Sequence, residues 1–158
     1  WVGTGWESFH RNDDGTLYIG STDGIGTYSG YTDNNESYLM KYYSQNLTFG
    51  DSARLKIVKK IKPTLIGGSG SQAIFKWGYN FAGAFASAVT TLKTADVAEF
   101  GVDEFGVAEF SSGIVTDTKN INTTGNGGSV IVGMEATING NALSLQEINV
   151  LTLIGKLV

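Results

Sequence analysis

"ARLKIVKKIKPTLIGGSGSQAIFKWGYNF" (53–81) decides the fold. Its first half alternates apolar and basic residues. Leu55, Ile57 and Ile61 fall on one face at period two, and Arg54, Lys56, Lys60 and Lys62 fall on the other, with Val58 among them. A period of two belongs to a strand buried on one side, so residues 53–66 read as a strand with a basic outer face. Pro63 cannot donate a ladder bond, which places the far end of that strand at an edge or a bulge. "GGSGS" (67–71) is a flexible loop. "QAIFKWGYNF" then puts Ala73, Phe75, Trp77, Tyr79 and Phe81 in one phase against Gln72, Ile74, Lys76, Gly78 and Asn80. The two strands and their loop read as one long hairpin.

The same reading extends outward. "GTLYIGSTDGIGTYSG" (15–30) is a hairpin, with Leu17 to Ile19 rising, a turn at Ser21 to Gly24, and Ile25 to Tyr28 returning. Asp-Gly favours such a turn because the turn needs positive φ. "NDDG" (12–15) turns the chain just before it. "SYLMKYYSQNLTF" (37–49) reads as a strand broken near Ser44 to Asn46, and "GIVTDTKNI" (113–121) as another. "SVIVGMEATI" (129–138) alternates with Val130, Val132, Met134, Ala136 and Ile138 on one side. After the turn "NGNA" (139–142), "LSLQEINVLTLIGKLV" (143–158) places Leu143, Leu145, Leu151 and Leu153 in one phase. "AGAFASAVTTLK" (82–93) is ambiguous: its alanines permit a helix and its β-branched residues favour a strand.

The sum is an all-β chain of eight to ten antiparallel strands. It predicts a β-sandwich or open barrel over residues 36–158, preceded by a short β-meander over residues 1–35. The polar stretch "TDNNES" (32–37) marks the boundary. The meander also fits the last blade of an upstream propeller.

Composition agrees: 22 glycines and one proline supply turns, and the glycines have no period of three, which excludes collagen. A chain of 158 residues buries a core without disulfide or metal support, and its lack of cysteine removes thiol chemistry. It opens on Trp1 with no signal-peptide pattern, which predicts a fragment or a processed form. No apolar run approaches the ~20 residues that span a bilayer.

Catalytic groups are scarce. His10 is the single histidine. There is no G-x-S-x-G, H-E-x-x-H or phosphate loop, and "GIGTYSG" lies between turns rather than between strand and helix. The sequence therefore predicts no enzyme, no cofactor and no metal centre. Glu99, Asp103, Glu104 and Glu109 lie close together but lack the order of a calcium loop, and nothing makes two of them converge as a glycosidase pair. Tyr28, Tyr31, Tyr42, Tyr43, Trp77 and Tyr79 are the aromatics available for stacking on sugar rings. A carbohydrate-binding or adhesin module would use Trp77 and the tyrosines, Tyr79 among them; the phase of Trp77 with Phe75 and Phe81 argues for core instead.

Charge is segregated. Residues 1–50 carry a net −4, residues 51–93 a net +6 and residues 94–158 a net −6. Nucleic acid is a poor partner for a chain of net charge −4. The layout suits a contact between copies, with Arg54, Lys56, Lys60 and Lys62 meeting an acidic edge at Glu99, Glu104 and Glu109. Those glutamates belong to "VAEFGVDEFGVAEF" (97–110), a five-residue phrase repeated nearly three times. Period five suits neither a helix nor a plain strand. It reads as a strand jointed at its glycines, or as one side of a square β-helix, for which there is less than one coil here.

The order of "DDGTLYIGSTDGIGTYSGYTDNN", "LTFGDSARLKIVKKIKPTL", "FKWGYNF", the pentads and "INGNALSLQEINVLTLIGKL" resembles the C-terminal region of the tail accessory or nozzle proteins of short-tailed bacteriophages, also called packaged-DNA stabilisation proteins. The resemblance covers most of residues 12–158. It implies a structural virion protein of the phage tail, located in the virion. It also implies a homo-oligomeric ring below the portal, in contact with other tail proteins. It brings no catalytic residues.

Overall fold

The structure, a computed structural model, describes residues 6–22, 24–27, 29–33, 35–94 and 115–157. It is all-β, and its strands are β1 (Trp6–Arg11), β2 (Leu17–Ser21), β3 (Gly24–Thr27), β4 (Tyr38–Tyr43), β5 (Arg54–Gly67), β6 (Gln72–Tyr79), β7 (Ala86–Thr91), β8 (Thr116–Thr118), β9 (Ile121–Asn122), β10 (Val130–Ile138) and β11 (Leu143–Leu157). The first three form an antiparallel meander in the order β1-β2-β3. The others form two antiparallel sheets, β4-β10-β6-β7 and β11-β5-β8, with β9 also paired to β5. The ambiguous stretch after Phe81 is strand β7, in keeping with its Val89-Thr90-Thr91 run.

The two sheets form a sandwich. Val58, Ile61 and Leu65 of β5 face Ala73, Phe75 and Trp77 of β6 and Val130, Val132, Met134, Ala136 and Ile138 of β10 in one buried cluster. The inward phase of β10 is the one its alternation predicts. Each large apolar side chain buried there contributes roughly 1.5–3 kcal/mol.

Three expectations are corrected by this architecture. First, β5 and β6 do not form a hairpin: β5 pairs with β11, β8 and β9, whereas β6 pairs with β10 and β7. The loop between them carries the chain from one sheet to the other. Gly67, Gly68 and Gly70 all adopt positive φ there, and Gly68 N–H donates to the Ala142 carbonyl at 2.7 Å in the parallel crossover from β10 to β11. A hairpin and a crossover both read as two alternating strands around a glycine loop.

Second, the face assignments of β5 and β11 reverse part-way along. Leu151 pairs with Lys60 and Thr152 with Val58, so Lys59 is an extra, bulged residue. Before the bulge Lys56 and Val58 point inward, and after it Ile61, Pro63 and Leu65 do. In β11, Gln146 is extra between Leu145 and Glu147. Leu143 and Leu145 pack against the core, as do Ile148 and Val150, whereas Leu151 and Leu153 turn outward.

Third, Phe81 is 75% exposed and not in the core. Asn80 and Phe81 take φ of 52° and 57°, which ends the strand before Phe81 can keep the phase.

Candidate functional site

Among the described residues no three His, Cys, Asp or Glu side chains gather as a metal site. His10 is exposed on β1, opposite Tyr18. A hollow of about 360 Å³ lies between Ser29, Gly30 and Tyr31 and the ends of β4, β10 and β11, where Tyr38, Ile138 and Leu143 line it. None of the six carries a group charged at neutral pH. Among the described residues no helix is long and apolar enough to cross a membrane.

The outer face of the β11-β5 ladder is the better candidate, as a contact surface. Alternation after the Lys59 bulge directs Lys60 and Lys62 outward, opposite Leu151 and Asn149 of β11. Leu153 stands opposite Ile57 on that side. Leu151 and Leu153 are 42% and 55% exposed. The face is therefore mixed: two lysines beside an aliphatic strip. Arg54 lies at the end of β5, where its Nε holds Asp51 Oδ2 at 3.1 Å in an exposed ion pair.

Lys56 does not belong to this face. It is fully buried, because it precedes the bulge and shares the inward phase of Val58. Its ammonium donates to the Asp51 and Arg54 carbonyls, tying the entry of β5 to the preceding loop. The four predicted basic contacts thus reduce to Arg54, Lys60 and Lys62. Glu99, Glu104 and Glu109 lie outside the described residues.

Trp77 and Tyr79 present no platform for a sugar ring. Trp77 is 5% exposed in the core, and its Nε1 donates to the Thr124 carbonyl at 2.9 Å. Tyr79 is half-buried against Gly125 and Gly127, and its hydroxyl accepts from Val58 N–H at 3.3 Å. Burial raises the Tyr79 pKa, and the Val58 bond opposes that only in part.

The outer face of the other sheet holds a polar cluster that the sequence reading missed. Glu135 of β10 accepts from the Tyr43 hydroxyl of β4 at 2.5 Å and from Lys76 Nζ of β6 at 2.7 Å. The Lys76 bond first, then the Tyr43 bond, hold the Glu135 carboxyl below its ordinary value. Burial and then Glu135 raise Tyr43, while Glu135 raises Lys76. The Tyr43 ring lies over Gly133 and meets Phe85 at a centroid distance of 5.4 Å, and Phe85 in turn covers Gly78. Aromatic rings thus fill the space left by two strand glycines. Alternation alone sends Glu135 and Lys76 outward; only the pairing of three strands brings them together. All three polar groups satisfy one another, so the cluster reads as a brace across the sheet.

A second brace is internal. The buried Asp117 of β8 accepts from Lys93 N–H at 2.9 Å and from Lys119 Nζ at 2.7 Å. Burial pushes its carboxyl up, but the Lys119 and Lys93 contacts outweigh that and hold it below its ordinary value.

No protein-family model matches the chain, and no curated protein matches it.

Proposed function

We propose that this chain is a structural module of a short-tailed bacteriophage tail, of the accessory or nozzle type, that works by ring assembly and by docking to neighbouring tail proteins. The observation that carries the assembly part is the mixed outer face of β5 and β11. Lys60 and Lys62 there adjoin the exposed Leu151 and Leu153. An apolar strip rimmed by one sign of charge fits a partner surface of opposite sign. The chain's sequence supplies acidic residues for such a contact at Glu99, Glu104 and Glu109. The tail assignment rests on the ordered sequence resemblance across residues 12–158.

Charge reversal tests the contact. Lys60→Glu with Lys62→Glu should abolish the assembly, and adding Glu104→Lys with Glu109→Lys should restore it at low salt. An unchanged mass for the lysine double variant would remove this face from the contact.

The carbohydrate reading loses Trp77, which is in the core, and finds Tyr79 half-buried, while Tyr31 and Tyr42 stay exposed. Its test is a glycan array on the whole chain; selective binding lost in a folded Trp77→Ala variant would revive it.

A further inference from the structure

We propose that the free edge of β11 pairs antiparallel with β11 of a second copy, about a two-fold axis through Thr152. This goes beyond the tail reading and does not rest on it. An isologous contact closes at two copies, unlike the head-to-tail contact of a ring.

Three observations converge. The first is the edge itself. Among the described residues β11 is a 15-residue strand paired only with β5, so its other side presents unpaired backbone donors and acceptors. Natural edges of this length are guarded by charge, proline or strand irregularity. β11 has irregularities at Gln146 and again between Ile154 and Leu157, but between them, from Ile148 to Ile154, the segment "INVLTLI" carries neither a charge nor a proline.

The second is exposed aliphatic surface on both sides of that segment. Leu151 and Leu153 lie on the outer side, while Ile154, 51% exposed, shares the phase of Val150 and Thr152. In an antiparallel pair, opposed residues face the same side, so the register must match like with like. Centring on Thr152 does so along the regular stretch: Leu151 meets the second copy's Leu153, and Val150 meets its Ile154.

The third is Thr152. Its Oγ1 is buried without a hydrogen-bond partner, one of two such side-chain atoms, with Asn46 Oδ1, among the described residues. Leaving a buried hydroxyl unpaired costs about 1–3 kcal/mol. On the two-fold axis Thr152 stands opposite its own copy, and a χ1 rotation lets one hydroxyl donate to the other, a pairing that stabilises adjacent strands. The same pairing over the regular stretch Val150 to Ile154 supplies roughly four to six backbone bonds.

The chain contains no cysteine, so single cysteines report cleanly. Directly opposed residues in an antiparallel pair have Cα atoms ~4.5–5.5 Å apart, within disulfide range. Residues two positions off are ~7–8 Å apart. Under mild oxidation of the full chain, Thr152→Cys should form a covalent dimer roughly tenfold or more faster than Ser87→Cys on β7, reflecting the effective concentration of a pre-formed pair. Leu151→Cys and Leu153→Cys should link poorly alone and well when combined. Ile154→Lys, at an exposed site off the Lys60–Leu153 face, should remain folded by circular dichroism and lose the dimer in sedimentation. Equal rates for Thr152→Cys and Ser87→Cys would overturn the proposal, as would a wild-type oligomer mass for folded Ile154→Lys. If that mass is in turn lost on Lys60→Glu with Lys62→Glu, β11 pairing fails while ring assembly stands; if the wild-type chain is monomeric throughout, both fail.

Discussion

Replacing Trp77 separates a core role from a surface role. The indole is 5% exposed among Phe75, Val130, Val132 and the other sandwich residues, and its Nε1 donates to the Thr124 carbonyl at 2.9 Å. Trp77→Ala removes a large buried side chain, which costs about 3–5 kcal/mol. It also leaves the Thr124 carbonyl without its donor, for roughly 1 kcal/mol more. The total, about 4–6 kcal/mol, is a large share of the ~5–15 kcal/mol that holds a typical domain folded. With a urea slope near ~2 kcal/mol per molar, the midpoint should fall by about 2–3 M. Trp77→Phe keeps most of the packing and should lose about half as much. Equilibrium urea unfolding followed by circular dichroism measures both. If Trp77→Ala unfolds within about 0.5 kcal/mol of the wild type, an effect typical of surface positions, the burial argument is refuted.

Three further outcomes follow from the braces. Glu135 is depressed by Lys76 and Tyr43, so its stabilisation is present above the ordinary carboxylate range and disappears as pH falls through its folded pKa. The melting temperature of Glu135→Gln should therefore lie below that of the wild type at pH 7, with the gap closing towards pH 3; a gap independent of pH would contradict this. Asp117→Asn should destabilise by about 1–3 kcal/mol in urea unfolding, and because the Asp117 carboxyl is also held low, the difference should again shrink on acidification. Gly133→Ala places a methyl group against the Tyr43 ring and 2.8 Å from the Tyr42 carbonyl oxygen, so β4 must shift away from β10. A cost of about 1–3 kcal/mol is expected from such overpacking, and thermal unfolding at the wild-type temperature would show that the ring yields freely.

Strand content and the phase of a strand without irregularities are written in the sequence. Val130 to Ile138 shows it best: every alternate residue predicted to face inward does so, because nothing interrupts the ladder within β10. β5 and β11 show the limit. One extra residue, Lys59 or Gln146, exchanges the faces of everything beyond it, and neither residue has a side chain that announces a bulge. For that reason Lys60 and Lys62 lie on the predicted basic face and Lys56 does not. Pairing across sheets is equally hidden. The loop at Gly67 to Gly70 suits a hairpin as well as a crossover, and only the competition of β11 and β10 for partners decides between them. The Tyr43–Glu135–Lys76 brace depends on three strands from distant parts of the chain, so no local spacing predicts it.

Sedimentation velocity of the intact chain, at high concentration in low and then high salt, tests the central claim that this β-sandwich module works by self-assembly. A contact between the Lys60–Lys62 face and acidic residues of a second copy, as proposed, predicts an oligomer at low salt that dissociates, at least in part, as salt screens the charges. A monomer under both conditions would contradict the account.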